Sequence, residues 1–212
     1  MLKVTEIYHS IQGEGSRAGL ACVFIRLSGC NLRCTWCDTE YGYSGGKDME
    51  LSEVLEQVSK YNCQLVEVTG GEPLMQEECS DLVELLLEKD YTVLVETSGA
   101  YDISTISDKA VRIVDMKCPG SGMVERNDYK NLEKLSANDE LKFVVADKLD
   151  FDWSCDLIKK FDLNHRENNF ISPVYGETDM ESLAKWILDS ELNIRLQVQL
   201  HKFIWGPDKT GV

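Results

Sequence analysis

Three cysteines, Cys30, Cys34 and Cys37, lie within eight residues in the spacing Cys-x3-Cys-x2-Cys. They follow an apolar run, residues 22–27, that predicts a buried strand, so the three thiolates belong to one short loop. Three close thiolates without an obvious fourth ligand suit a [4Fe–4S] cluster in which one iron stays open for a small molecule. A structural zinc site would need four ligands, and a Cys-x2-Cys pair alone would also fit a thioredoxin-like redox loop.

The elements that must position this loop alternate along the chain. Apolar residues at helical spacing predict amphipathic helices that begin near Leu51, Cys79 and Met180. Strand-like runs lie between them, at residues 65–69, 92–96, 111–115, 141–146, 169–173 and 194–198. Strands that alternate with helices indicate βαβ units and a mainly parallel sheet. A complete eight-unit barrel typically needs about 250 residues. We therefore expect an α/β fold, a partial, open (β/α) barrel with about six mainly parallel strands, in a single domain spanning residues 1–212.

Short polar segments follow five of the predicted strands. These segments are the cysteine loop and residues 69–73, 96–99, 115–119 and 172–176. Any one of them could be an ordinary turn, because Gly, Pro and Ser are typical turn residues. Together they lie at the carboxyl ends of presumed parallel strands, where α/β folds build their sites. The sequence therefore predicts one active-site rim, whereas no regular element is predicted for residues 118–138.

The second motif is Gly-Gly-Glu-Pro at residues 70–73. Glycine allows the backbone to approach a ligand closely, although a plain Gly-Gly turn with a solvated glutamate fits the same residues. Combined with the three cysteines and the aromatic Trp36 between the last two, the motif resembles the radical S-adenosylmethionine (SAM) superfamily. That resemblance implies that Cys30, Cys34 and Cys37 bind a [4Fe–4S] cluster and that SAM is held at the rim. The implied SAM-binding residues are Trp36, Gly71, Glu72, Glu96, Ser98, Asp115, Met116, Lys117, Ser172, Pro173, Val174 and Tyr175.

Further motifs indicate which family within the superfamily the chain resembles. Residues 10–15 read Ser-Ile-Gln-Gly-Glu-Gly, Arg26 follows, Cys-Asp-Thr stands at residues 37–39, and Thr69 precedes the double glycine. This set closely resembles the 7-carboxy-7-deazaguanine synthase family, from about Glu6 to Pro119 and again at residues 199–202. The family converts 6-carboxy-5,6,7,8-tetrahydropterin to 7-carboxy-7-deazaguanine with loss of ammonia, in queuosine and deazapurine synthesis. A 5′-deoxyadenosyl radical takes the hydrogen at C6 of the pterin.

The resemblance also assigns substrate and metal contacts. The implied substrate-binding residues are Ile11, Gln12, Gly13, Glu14, Arg26, Thr69 and His201, with Arg26 pairing with the substrate carboxylate. Thr39 would offer its hydroxyl to Mg²⁺. From residue type alone, Arg26 could extend to solvent, Thr39 could cap a turn and His201 could be a structural hydrogen-bonder. Some family members end soon after the His-Lys pair and use the chain terminus at the substrate, whereas this chain continues to Val212.

The charge and composition of the chain limit the kinds of molecule that it could bind. The formal charge of −15 would repel polyphosphate, which argues against nucleic acid and favours a small molecule or a protein partner. No apolar stretch approaches a membrane span and no signal-peptide layout is present, so a cytoplasmic protein is expected. The eight cysteines are then reduced thiols. Most of the five outside the loop should be core residues, with Cys118 on the rim.

The resemblance further implies a one-electron donor such as a flavodoxin or ferredoxin, and a homodimer. Two alternatives stay open from the sequence. A glycyl-radical enzyme activating protein shares the short cysteine motif, although residues 12–15 and 37–39 favour the synthase family over it. A non-catalytic iron–sulfur or zinc module would use the cysteine loop as a structural element only.

Overall fold

The computed structural model describes residues 1–212, in which nine strands form one sheet of order β3-β1-β2-β4-β5-β6-β7-β8-β9. The strands are β1 (Leu2–Ile11), β2 (Ala21–Leu27), β3 (Lys47–Met49), β4 (Leu65–Gly70), β5 (Thr92–Thr97), β6 (Val111–Asp115), β7 (Glu140–Val145), β8 (Asn169–Pro173) and β9 (Arg195–Leu196). All neighbours from β2 to β9 are parallel, while β1 and β3 add an antiparallel edge. The predicted open, mainly parallel α/β sheet is confirmed.

The sheet has more strands than predicted because the sequence did not indicate the two antiparallel strands, β1 and β3, at one edge. Both β1 and β3 lie at the antiparallel edge, where strands carry polar residues on their solvent side and lack a continuous apolar run. In β1, buried Leu2 and Val4 alternate with exposed Lys3. At the other edge, β9 is shorter than the predicted run and pairs with β8 through only Arg195 and Leu196.

Five helices connect the strands: α1 (Leu51–Ser59), α2 (Cys79–Glu88), α3 (Lys148–Lys160), α4 (Met180–Ser190) and α5 (Leu200–Trp205). The predicted helices are α1, α2 and α4, whereas α3 and α5 were not predicted. Asp147 is the N-cap of helix α3, and its carboxylate accepts bonds from the backbone N–H groups of Leu149 and Asp150. Residues 118–138 form three short 3₁₀ turns, Pro119–Ser121, Val124–Arg126 and Tyr129–Glu133. None of the helices has the length and apolar character needed to cross a membrane.

Strand alternation sorts the side chains between two faces of the sheet. The outer face forms two buried clusters, one against α1 and α2 and the other against α3 and α4. The inner face carries a smaller apolar layer made of Cys22, Phe24, Leu65, Leu94, Val111 and Ile113. Two residues further along β2, β5 and β6, the same face presents Arg26, Glu96 and Asp115. The sheet thus provides an apolar floor with a polar layer at its carboxyl end.

Candidate active site

A cavity of about 730 Å³ opens at the carboxyl ends of the parallel strands. Nineteen predicted site residues line it: Ile11, Gln12, Gly13, Glu14, Arg26, Cys30, Cys34, Trp36, Cys37, Thr39, Thr69, Gly71, Glu96, Ser98, Asp115, Lys117, Val174, Tyr175 and His201. They come from positions almost 200 residues apart in the chain. The cavity has the size and position of ligand sites in α/β proteins.

Four other predicted residues lie elsewhere. Met116 and Ser172 are buried below the rim, and Pro173 lines a neighbouring cavity of about 470 Å³. Glu72 is completely buried, and its carboxylate accepts bonds from the backbone N–H groups of Leu74 (2.9 Å) and Ser98 (2.7 Å). This geometry differs from the predicted direct SAM contact, because the Glu72 carboxylate is already occupied inside the protein. Glu72 instead holds Ser98 at the end of β5.

The double glycine brings β4 against the cysteine loop. A side chain at Gly70 would collide with the backbone of Leu27, and one at Gly71 would lie 2.6 Å from Cβ of Cys30. The Glu72 N–H donates to the carbonyl of Gly29 at 2.8 Å, which joins the two segments. Glycine is therefore required for close packing of the protein on itself, beside any approach to a ligand.

The cysteine loop supplies donors that fit an iron–sulfur cluster. Its three thiols are half-buried, form no disulfide and face the same cavity. Burial raises the pKa of Cys34, and the nearby Lys117 ammonium partly offsets this by favouring the thiolate. No three His, Cys, Asp or Glu side chains are grouped closely enough for one metal ion. A [4Fe–4S] cluster does not require that grouping, because each thiolate binds a different iron.

The Arg26 side chain lines the cavity, and two hydrogen bonds fix one side of its guanidinium. Its Nε donates to Oε1 of Glu6 at 2.8 Å and its Nη2 donates to the Tyr8 hydroxyl at 3.1 Å. Nη1 donates to no protein acceptor. The side chain is only 14% exposed, so Arg26 does not extend into bulk solvent. A guanidinium oriented in this way can still bind a carboxylate from the cavity.

A buried lysine joins three acidic residues of the cavity. Lys142, on β7, places Nζ 2.6 Å from Oε2 of Glu14, 2.7 Å from Oε1 of Glu96 and 3.9 Å from Oδ2 of Asp115. Burial lowers the pKa of Lys142, but these carboxylates outweigh it and the pKa is well above its usual value. The pKa of Glu96 is lowered because Lys142 offsets the effect of its burial.

The sequence analysis missed Lys142 and two glutamates of the same cavity, Glu67 and Glu140. Each is a charged residue inside or at the start of an apolar strand run. A single charged residue among apolar strand neighbours could have identified all three, because an isolated charge in a buried strand requires a partner or a function.

The loop between β1 and β2, residues 12–20, closes the open side of the barrel. The Ser16 hydroxyl donates to Oε1 of Glu140 on β7 at 2.5 Å. Gln199 Nε2 donates to Oε1 of Glu14 at 3.0 Å, and the Leu200 N–H donates to the Gly13 carbonyl at 3.1 Å. The loop therefore spans from the first strands to α5 and forms one wall of the cavity.

The C-terminal region completes this wall. Lys202 Nζ lies 2.6 Å from Oδ2 of Asp38, and the Thr39 hydroxyl donates to Oδ1 of Asp38 at 2.9 Å. Thr39 precedes a 3₁₀ turn but its side chain makes no capping bond. A side chain at Gly13 would collide with the His201 ring. Residues 207–212 line the cavity too, so the segment that follows the His-Lys pair returns to the site.

The cysteines outside the loop behave largely as predicted. Cys22, Cys79, Cys118 and Cys155 are buried and Cys63 is half-buried. Cys118 does not reach the cavity: it is 1% exposed and its sulfur contacts the Ser154 hydroxyl at 3.5 Å.

Comparisons with known proteins agree with this geometry. The radical SAM superfamily profile matches residues 24–187. The chain is 40% identical to a 7-carboxy-7-deazaguanine synthase of Koribacter versatilis, with both proteins fully covered. It is also 38% identical to a 7-carboxy-7-deazaguanine synthase of Chlorobaculum tepidum, in an alignment that spans this whole chain and 97% of that protein. The solved structure of QueE from Escherichia coli has the same fold, with a TM-score of 0.72, 22% identity and 93% of each chain covered.

These relatives decide between the alternatives that the sequence left open. They are named as enzymes that make a small molecule, which argues against both an activating enzyme for another protein and a non-catalytic module. The chain therefore belongs to the radical SAM superfamily and, within it, to the 7-carboxy-7-deazaguanine synthases, enzymes that carry a [4Fe–4S] cluster and use S-adenosylmethionine.

Proposed function

We propose that this enzyme converts 6-carboxy-5,6,7,8-tetrahydropterin to 7-carboxy-7-deazaguanine with loss of ammonia. The observation that carries the proposal is the convergence of the cysteine loop, Arg26 and Thr69 on one cavity. Arg26 and Thr69 are direct neighbours in the register of β2 and β4, and the cysteine loop follows β2. A substrate held by these two side chains lies next to the cluster site.

When bound together, the cluster and SAM would supply the radical chemistry that removes the hydrogen at C6 of the pterin. Cys30, Cys34 and Cys37 hold the cluster. The protein binds SAM through Trp36, Gly71, Glu96, Ser98, Asp115, Lys117, Val174 and Tyr175, which line the cavity around the cysteine loop. Glu72, Met116, Ser172 and Pro173 support this wall from behind.

Arg26 binds the carboxylate of the pterin. Glu6 occupies its Nε and Tyr8 accepts from Nη2, so the guanidinium has one orientation before the substrate arrives. This preorganisation lowers the entropy lost on binding. On the opposite side, the backbone of residues 11–13 and the side chains of Glu14 and His201 contact the edge of the heterocycle.

Thr39 provides one oxygen to a Mg²⁺ ion, and the substrate and water provide the others. The Thr39 hydroxyl donates its proton to Asp38, which leaves its oxygen lone pairs free for an ion. Mg²⁺ dehydrates reluctantly and keeps several waters, so a single protein ligand suits it. The neighbouring Asp38 is ionised: desolvation raises its pKa, but Lys202 outweighs this effect and lowers the pKa of Asp38 to about 2.

The proposal extends to the protein's surroundings. The enzyme is a single-domain homodimer of the cytoplasm that receives electrons from a small donor such as a flavodoxin or ferredoxin. The charge of −15 supports a small-molecule substrate over a nucleic acid.

The deciding experiment is an anaerobic assay of the cluster-loaded enzyme with SAM, Mg²⁺, a reductant and the carboxytetrahydropterin. We expect one ammonia released for each 7-carboxy-7-deazaguanine formed, measured by mass spectrometry and an ammonia assay. SAM cleavage without any change in the pterin would contradict the substrate assignment while leaving the radical SAM chemistry intact.

A further inference from the structure

Glu67 is a carboxyl at the floor of the cavity that the proposed function does not use. It lies in the middle of β4, between Val66 and Val68, and is only 3% exposed. Its neighbours across the sheet are apolar, Phe24 on β2 and Leu94 on β5. An apolar side chain would fit this layer without the cost of burying a carboxyl.

No cation forms an ion pair with the buried Glu67 carboxyl. None of the ion pairs of the protein includes it, and Lys142 is directed to Glu14 and Glu96 instead. Burial and the neighbouring Glu96 carboxylate raise the pKa of Glu67. An unpaired buried carboxyl lowers stability, and such residues are concentrated at functional sites.

The side-chain partner of Glu67 is Gln12, at the start of the β1–β2 loop. Nε2 of Gln12 donates to Oε2 of Glu67, and Oε1 of Gln12 accepts from the Glu14 N–H at 3.1 Å. The Gln12 backbone also bonds Gly19 and Leu20, each at 2.8 Å, which closes the base of the loop. Both ends of the Gln12 amide are thus occupied, one by the sheet and the other by the loop.

This arrangement determines how the Gln12 amide is oriented. The two ends of a glutamine amide have nearly the same shape, and hydrogen bonds alone decide which end points where. The oxygen of Glu67 accepts a bond, so the NH₂ end of Gln12 is directed to the floor and its oxygen to the Glu14 N–H. Residues 12–14, the wall assigned to the pterin edge, are held in one geometry as a result.

We infer that Glu67 is a positioning residue for the substrate, acting through Gln12, and that the protein retains it at a cost in stability. The inference rests on the proposed function, because it takes residues 12–14 as the pterin wall. On this inference, Glu67 affects binding of the pterin but not of SAM. The pterin wall depends on Glu67, whereas the rim assigned to SAM, around Ser98 and Lys117, has no hydrogen bond to Gln12 or Glu67.

The test compares Glu67→Met, which keeps the length but removes the acceptor, with Glu67→Gln, which keeps an acceptor oxygen. Glu84→Gln, on the exposed face of α2, is the matched control. Calorimetry on the cluster-loaded enzymes measures binding of SAM alone and of the carboxytetrahydropterin in the presence of SAM. Thermal unfolding of the same samples measures stability.

For Glu67→Met we expect pterin affinity and kcat/KM to fall roughly tenfold, the equivalent of one hydrogen bond, with SAM affinity within about twofold of the parent. Its Tm should equal or exceed that of the parent. Glu67→Gln should recover most of the pterin affinity. The effects of Gln12→Ala and Glu67→Met should not add, because both remove the same contact.

Unchanged pterin binding in Glu67→Met would overturn the inference. So would a lowered Tm with parallel losses of SAM and pterin affinity, which is the signature of a purely structural residue. Failure of the proposed function is a separate result, because the unaltered enzyme would then bind no carboxytetrahydropterin.

Discussion

Lys142 Nζ lies 2.6 Å from Oε2 of Glu14, and this contact joins β7 to the β1–β2 loop that closes the sheet. The same ammonium lies 2.7 Å from Oε1 of Glu96 on β5. In the sequence, Lys142 is separated from Glu14 by more than a hundred residues and from Glu96 by 46. One buried cation therefore sets the position of carboxylates on two sides of the cavity.

Replacing this cation should disrupt the site. Lys142→Met leaves the half-buried carboxylates of Glu14 and Glu96 without their buried partner, and breaking a buried ion pair typically costs about 3–5 kcal/mol. We expect a lower free energy of unfolding in urea titrations and a loss of turnover. Lys148→Met, an exposed residue at the start of α3 that pairs with Asp152, is the control and should change stability by less than about 1 kcal/mol. Equal stability of the two variants would mean that Lys142 is not the organising charge.

The cysteine loop should account for all the iron. Enzyme reconstituted without oxygen should bind about four irons per chain and show a reduced-state EPR signal that changes when SAM is added. Cys30→Ala, Cys34→Ala and Cys37→Ala should each abolish this signal. Cys63→Ala, a half-buried thiol outside the loop, should retain it. Stoichiometric zinc with no uptake of iron would contradict the cluster assignment.

Arg26→Ala should separate substrate recognition from radical generation. The variant removes the partner of the pterin carboxylate, a loss of about 2–5 kcal/mol in kcat/KM when the other charge remains buried. Iron content and SAM cleavage without substrate should persist, because the Arg26 guanidinium bonds Glu6 and Tyr8 and no residue of the cysteine loop. Turnover and SAM cleavage are measured in parallel by mass spectrometry. Undiminished turnover would remove Arg26 from the substrate site.

Mg²⁺ should affect the enzyme only when the substrate is bound. An ion held by the Thr39 hydroxyl and by substrate oxygens assembles in the ternary complex, so turnover of metal-depleted enzyme should rise as Mg²⁺ is added. Binding of SAM alone should be indifferent to Mg²⁺. Thr39→Ser keeps the oxygen and should preserve the response, whereas Thr39→Ala should weaken it. The same Mg²⁺ titration for Thr39→Ala and the parent would show that Thr39 is not a ligand.

The raised pKa of Glu67 predicts a pH-dependent stability difference. The folded protein binds this proton more tightly than the unfolded chain, so the free energy of unfolding falls as the pH rises above the ordinary value of 4.5. Burial is the main cause, Glu96 and Glu14 add to it, and Gln12 and Lys142 oppose it. Glu67→Gln removes the titration. Its stability advantage over the parent, measured in urea, should be absent below about pH 4.5 and grow toward neutral pH. A difference that does not change with pH would contradict a raised pKa.

The chemistry of this protein could be predicted from the sequence by itself. The spacing of Cys30, Cys34 and Cys37 is local, so one loop must bring the thiols together whatever the fold around it. The alternation of helical and strand-like runs likewise predicted a mainly parallel sheet, and with it a common rim for segments that follow the strands. Most of the nineteen predicted residues that line the cavity lie at or after the ends of these strands, whereas residues 11–14 and His201 come from β1, the β1–β2 loop and α5.

Orientation and pairing were decided only by the tertiary structure. Thr69, near the end of β4, lines the cavity, whereas the Glu72 carboxylate, two residues after the strand, turns inward to the backbone N–H groups of Leu74 and Ser98. The sequence shows that Glu67 and Lys142 lie in strands, but not which carboxylate receives the lysine and which is left without a cation. That depends on strand order, on register and on the path of the β1–β2 loop, because charges interact through space over a few ångströms and those distances exist only once the sheet has formed.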